Sequence, residues 1–154
     1  MAILDLERNA IVLRIVYDGP AAAGKTTSVR ALGASLGRRV ETPEEAGERT
    51  LFFDWLDYTG GLYEGRALRC QVVTVPGQAL LAHRRKELLA TADAVIWVAS
   101  VVDGELDPLV DALASVKRTL DERADEPVGL VFQANKRDLP SALPIERIRA
   151  ALSE

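Results

Sequence analysis

The stretch Gly19-Pro-Ala-Ala-Ala-Gly24-Lys25-Thr26 fits the pattern G-x-x-x-x-G-K-[ST], whose chemistry is the grip of a phosphate chain. Phosphate oxygens need many donors and little steric crowding. Two glycines let backbone N–H groups converge on them, and the N-terminus of a following helix adds the positive end of its dipole. Lys25 is positioned to bridge the β- and γ-phosphates of a nucleoside triphosphate, and the Thr26 hydroxyl to ligate the Mg²⁺ that offsets the polyphosphate charge. The candidate phosphate contacts are Gly19, Ala22, Ala23, Gly24, Lys25, Thr26 and Thr27. A second cluster, Asn135-Lys136-Arg137-Asp138, follows an apolar run, and the carboxyl ends of strands are where open α/β sheets hold ligands. A carboxylate at Asp138 accepts from both N1–H and the exocyclic amine of guanine, whereas adenine offers no such pair of donors. GTP is therefore expected over ATP. Asn135 either ties this loop to the phosphate loop or bonds N7 of the base, and the Lys136 stem can lie against the base.

These groups need elements to hold them. Residues 10–17, AIVLRIVY, are apolar on both alternating faces except for Arg14, the mark of a central strand covered by helices. Past the glycine loop, Val29, Leu32 and Leu36 make one stripe of a helix over 26–36, ended by Gly37. Residues 38–49 turn acidic, with Pro43 and Gly47, and read as an exposed mobile loop. Strand-like runs at 51–56 and 66–75 flank a glycine-bearing connection over 58–65 and should pair as an antiparallel hairpin. A helix or mobile segment over 78–90, a buried strand over 92–100, a helix over 108–120, a strand over 128–134 and a weak helix over 145–152 complete the chain. Strands alternating with helices predict an α/β sandwich with a mostly parallel sheet and one antiparallel edge strand.

At 154 residues the chain is expected to form one domain. Its 19 Lys+Arg against 23 Asp+Glu give a net charge of −4, so no general positive field exists to attract nucleic acid. Cys70 and His83 are single of their kinds, which leaves neither an internal disulfide nor a Cys/His zinc site. A reducing cytoplasm fits this composition. The N-terminal stretch carries Asp5, Glu7 and Arg8, unlike a signal peptide, and no apolar run has membrane-spanning length.

With both motifs in order, the chain resembles the small Ras-like GTPases, and in particular the bacterial MglA-like family of gliding motility and polarity, over residues 11–140. Residues 48–55 (ERTLFFDW) and 74–78 (TVPGQ) are similar to that family's two switches. The resemblance implies a P-loop NTPase fold, with a first switch near 38–50 and a second near 74–90. It implies that Thr50 completes the Mg²⁺ shell and reaches the γ-phosphate through its N–H, and that the Gly77 N–H makes the other γ-phosphate contact. Gln78 corresponds to the residue that orients the attacking water, Arg49 to an intrinsic arginine finger, and the implied activator is a Roadblock-type dimer. Thr74 stands where most Ras-like proteins have an Asp that holds a Mg²⁺-bound water. Asp54 is either its substitute or an outward strand residue. Family members continue past the Asp138 loop into another strand and helix with a base-contacting Ser-Ala loop; Ser141-Ala142 comes too soon to be it, so the expectation is fast and weakly guanine-selective exchange, a pocket completed by a partner, or a shortened chain.

The basic run 83–86 is either an effector or activator surface or a solvated helix face, and Phe53 and Trp55 either a partner surface or core. The leading expectation is a cytoplasmic GTP·Mg²⁺ switch that hydrolyses slowly to GDP and engages a protein effector, with Gln78, Arg49 and Lys25 as its catalytic groups. A nucleotide-dependent scaffold with negligible hydrolysis is the rival reading. An ATP-using kinase lacks both an acceptor site and an adenine pocket.

Overall fold

The computed structural model describes residues 2–42, 54–75, 82–102, 106–123 and 127–153. A six-stranded sheet carries the fold. Its centre is β2 (Ala10–Asp18), the long apolar run read from sequence, flanked in parallel by β4 (Arg66–Thr74) and β5 (Ala94–Ser100). Beyond β5 lies β6 (Gly129–Asn135), also parallel; beyond β4 lies β3 (Trp55–Tyr63), the antiparallel edge. A short strand absent from the sequence reading, β1 (Ile3–Asp5), pairs antiparallel with the start of β2. Its three residues are too few to show an alternation.

The helices sort to two faces. On one, α1 (Lys25–Ser35) brings Val29 and Leu32 onto Ile15, Tyr17, Leu56 and Val72. On the other, α2 (Ala82–Ala90) and α3 (Leu106–Asp121) bring Leu89, Leu113, Val116 and Leu120 onto Val16, Val73, Val95 and Trp97. The alternation along β2 decides which residue faces which layer: Val16 and Asp18 point toward α2 and α3, Ile15 and Tyr17 toward α1. The last helix, α4 (Ile145–Ser153), contacts α3 and buries Ile148.

Two regions depart most from the sequence reading, the hairpin and the segment after α1. The hairpin turn is Glu64-Gly65, not the wider 58–65 connection, and β3 runs through Gly60 and Gly61. Both turn residues have positive φ, 48° and 76°, as a two-residue turn matched to strand twist requires. The extra residue at the register shift between Thr59 and Gly61 is absorbed as a bulge. Residues 38–42 are not loose either: Glu41 bridges Trp55 through both backbone bonds at 2.9 Å, and Val40 packs against the α1-side core. Trp55 packs against the opposite core and Phe53 lies outside the described residues, so the aromatic partner surface gains no support from Trp55.

Candidate functional site

The phosphate-loop sequence turns between the end of β2 and the start of α1. Gly19 has φ 139°, and a Cβ there would meet the Val98 carbonyl oxygen at 2.0 Å; the loop lies on the β5 backbone so closely that only glycine fits. Gly24, at φ 101°, is the N-cap of α1, and a Cβ on it would fall 2.2 Å from Asn135 Nδ2. Between them Ala22 also takes positive φ, 58°. The backbone thereby curls into a cradle at a helix N-terminus, the form suited to an anion.

Lys25 lies within this cradle, 7% exposed, and its Nζ donates to the carbonyl oxygens of Gly19 (2.8 Å) and Pro20 (2.7 Å). Burial pushes its ammonium below the ordinary range; the Asp18 carboxylate pulls the other way, and Arg85 adds to the lowering. Thr26 is half-buried in the first turn of α1, while Thr27 is exposed and Ala23 buried.

Asn135 ends β6 and its Nδ2 donates to the Ala23 carbonyl at 2.8 Å. Of the two roles left open for it, this is the tie between the two loops. A parallel tie runs below it, from Gln133 Nε2 to Ser28 Oγ at 2.8 Å, fastening α1 to β6. Lys136 adopts φ 62° and Asp138 is exposed in the turn that follows. The chain then folds back, with Leu143 N–H donating to the Val101 carbonyl at 2.8 Å and Ala142 bridging Val102. Ser141-Ala142 therefore belongs to a return along the end of β5.

On the α1 face, Thr74 and Asp54 sit opposite each other. The Asp54 N–H donates to Thr74 Oγ at 3.0 Å, and the Asp54 carboxylate, 6% exposed, accepts from the Thr42 hydroxyl at 3.3 Å and lies 3.7 Å from Arg30. Asp54 is thus turned inward beside Thr74; the outward reading is incorrect. Arg49, Thr50, Gly77 and Gln78 lie outside the described residues.

Within the basic run, His83 and Arg84 pair with Glu87 on an exposed face. Arg85 departs from the solvated-face reading. Its guanidinium grips Asp18, donating from Nε to Oδ1 (3.0 Å) and from Nη2 to Oδ2 (2.8 Å). Sequence reasoning missed both partners. The available signal was an acidic residue closing a central strand that is apolar but for Arg14, directly before the glycine loop.

The cradle fits a phosphate chain: two positions that exclude a Cβ, a buried Lys, and a helix N-terminus in one loop. For Mg²⁺ the described donor nearest in sequence is the Thr26 hydroxyl, with the inward Asp54 carboxylate on the same face of the sheet. A hydroxyl and a carboxylate oxygen are each hard donors of the kind Mg²⁺ takes beside its waters and phosphate oxygens. Among the described residues no three His, Cys, Asp or Glu side chains gather into a metal cluster, and no helix is long and apolar enough to cross a membrane.

A mostly parallel sheet with this loop at the end of its central strand, tied to a second loop at the end of β6, is a Ras-like P-loop fold. Over 160 aligned residues, covering 99% of this chain and 82% of the relative, the sequence is 32% identical to the mutual gliding-motility protein MglA of Myxococcus xanthus (strain DK1622). It is also 29% identical over 141 residues to the human ADP-ribosylation factor-like protein 4C, covering 92% of this chain and 69% of that protein. No family model matches the chain. The chain belongs to the small Ras-like GTPases, in the family of MglA.

Proposed function

We propose that this chain is a single-domain guanine-nucleotide switch that binds GTP with Mg²⁺, hydrolyses it slowly to GDP, and engages a protein effector in its GTP form. The observation that carries this reading is the 2.8 Å bond from Asn135 to Ala23, which joins a phosphate cradle to an Asn-Lys-x-Asp loop in one site. In this reading the amides of Gly19 and Ala22 to Thr27 hold the phosphates. Lys25 leaves the Gly19 and Pro20 carbonyls for the β- and γ-phosphates, and Asp138 reads guanine. Thr26 and Thr50 hold the Mg²⁺, with Asp54 standing in for the carboxylate that Thr74 replaces. The ion would offset phosphate charge that the protein's own cations leave uncompensated.

Hydrolysis in this class is positioning and electrostatics rather than strong base chemistry. Gln78 orients the water, Arg49 neutralises charge developing on the transferred group, and Gly77 N–H senses the γ-phosphate. The segments 38–50 and 74–90 would be ordered by GTP and released on hydrolysis. A cytoplasmic role in motility or polarity, with a Roadblock-type activator, belongs to the same proposal; the likeness to the mutual gliding-motility protein MglA supports its motility part. Single-turnover hydrolysis of bound GTP tests the proposal. Wild type should turn over at roughly 10⁻⁴ to 10⁻² s⁻¹ unaided, and Gln78→Leu at least about tenfold slower. Equal rates would remove the role given to Gln78.

A further inference from the structure

Asp18 is the last residue of β2, next to Gly19, and only 1% exposed. A carboxylate so buried needs a partner, since an unpaired buried charge is strongly disfavoured. Arg85 supplies it from α2, across 67 residues of sequence. The second cation is near. Lys25 Nζ is held by the carbonyls of Gly19 and Pro20, the two residues that follow Asp18, and the ammonium feels both the Asp18 and the Arg85 charge. Three charges therefore share the foot of the phosphate loop, one negative and two positive, for a net of +1.

The two partners of the pair differ in freedom. The Arg85 side chain is 39% exposed and can move into water with α2; Asp18 cannot follow. If Arg85 withdraws, the buried carboxylate is left with Lys25 as its nearest counter-ion, and the local net charge falls to zero. A lysine paired with Asp18 is lost to phosphates, and the carboxylate itself repels them. We propose that Asp18 is a built-in competitor for Lys25, held off by Arg85, so that the docking of α2 sets how tightly the phosphate loop grips its ligand. A protein that pulls α2 from the sheet would thereby eject bound nucleotide without inserting any group of its own. Asp18 and Arg85 are positioning residues here, acting through Lys25. The inference rests on the nucleotide reading of the site.

Dissociation of a fluorescent GDP, chased with excess GDP in Mg²⁺ buffer, tests it on four full-length proteins. Arg85→Met drops the local charge to zero and should release GDP on the order of tenfold faster. Asp18→Asn raises it to +2 and should release GDP no faster than wild type. The double variant Asp18→Asn/Arg85→Met returns it to +1 and should recover wild-type release to within about threefold. A pair that merely docks α2 would make the double variant as fast as Arg85→Met and would speed release in Asp18→Asn alone; either result overturns the proposal. Thermal melting checks folding. Should Arg85→Met not fold, Asp18→Asn and the double variant still decide, since both lack the unpaired carboxylate. Wild-type protein that retains no fluorescent GDP would instead remove the nucleotide reading beneath the proposal.

Discussion

Asn135 donates to a phosphate-loop carbonyl from 112 residues away, so Asn135→Ala leaves that carbonyl without its partner. Expected consequences are a loss of about 1 kcal/mol in urea unfolding and faster release of fluorescent GDP. Gly19→Ala is harsher, because its Cβ would strike a backbone oxygen of β5 at 2.0 Å, which cannot turn aside as a side chain can. It should lower the melting temperature and remove detectable GDP binding. Lys25 gives a pH signature. Its lowered pKa means that between that value and the ordinary 10.5 the unfolded chain binds more protons than the folded one. Stability of nucleotide-free protein therefore rises with pH across that window, while GDP affinity falls as the ammonium is lost. Calorimetric binding and melting measured side by side above neutrality should move in opposite directions; parallel trends would argue against a buried phosphate-gripping lysine. Gly19, Gly24 and Lys25 were legible as one tight loop because their spacing is that of a glycine turn opening a helix, and the Asn135 tie was legible as one of two roles. The Asp18–Arg85 pair was not, since nothing local in a basic run tells which arginine turns inward.

Elements were legible where one period dominated. The run over β2 and the stripes of α1 and α3 gave those elements within a residue or two, because central strands are apolar on both faces and helices on one. β3 was shifted, since its outer half, Tyr58–Tyr63, carries glycines that look like a turn but serve a bulge in a strand. That same hairpin supplies an alkaline test. Tyr58 sits beside Cys70 on the neighbouring strand, and burial, reinforced by its bond to the Cys70 thiol, pushes its phenol up to about 12. A raised phenol keeps its proton in the folded chain while the unfolded chain loses its own from about pH 10. Its contribution is full below pH 10 and is lost as pH climbs toward 12. Tyr58→Phe should flatten the fall of melting temperature over that interval, followed by phenolate absorbance; an unchanged slope would exclude Tyr58 as its source.

For the whole molecule, the sheet gathers the cradle, the Asn-Lys-x-Asp loop and the inward Asp54 at the carboxyl ends of its parallel strands, where the order of strands reverses about β2. That convergence was readable in outline from alternating strands and helices; the tie between the loops was readable only as one of two roles for Asn135, because the choice depends on the register of β2, β5 and β6. A ligand that binds only the folded chain must stabilise it by mass action, by about 2.7 kcal/mol at a hundredfold excess over its dissociation constant. GDP should thus raise the melting temperature in a concentration-dependent way, and Asp138→Ala should reduce the gain. The central claim, a guanine-nucleotide site built from two tied loops, meets its most direct test in isothermal calorimetry of the folded protein with GDP, GTP and ATP in Mg²⁺ buffer. Saturable one-site heats with both guanine nucleotides, and binding of ATP at least about 100-fold weaker, are expected. Absence of saturable heat with either guanine nucleotide, or equal affinity for ATP, would mean that these loops do not form that site.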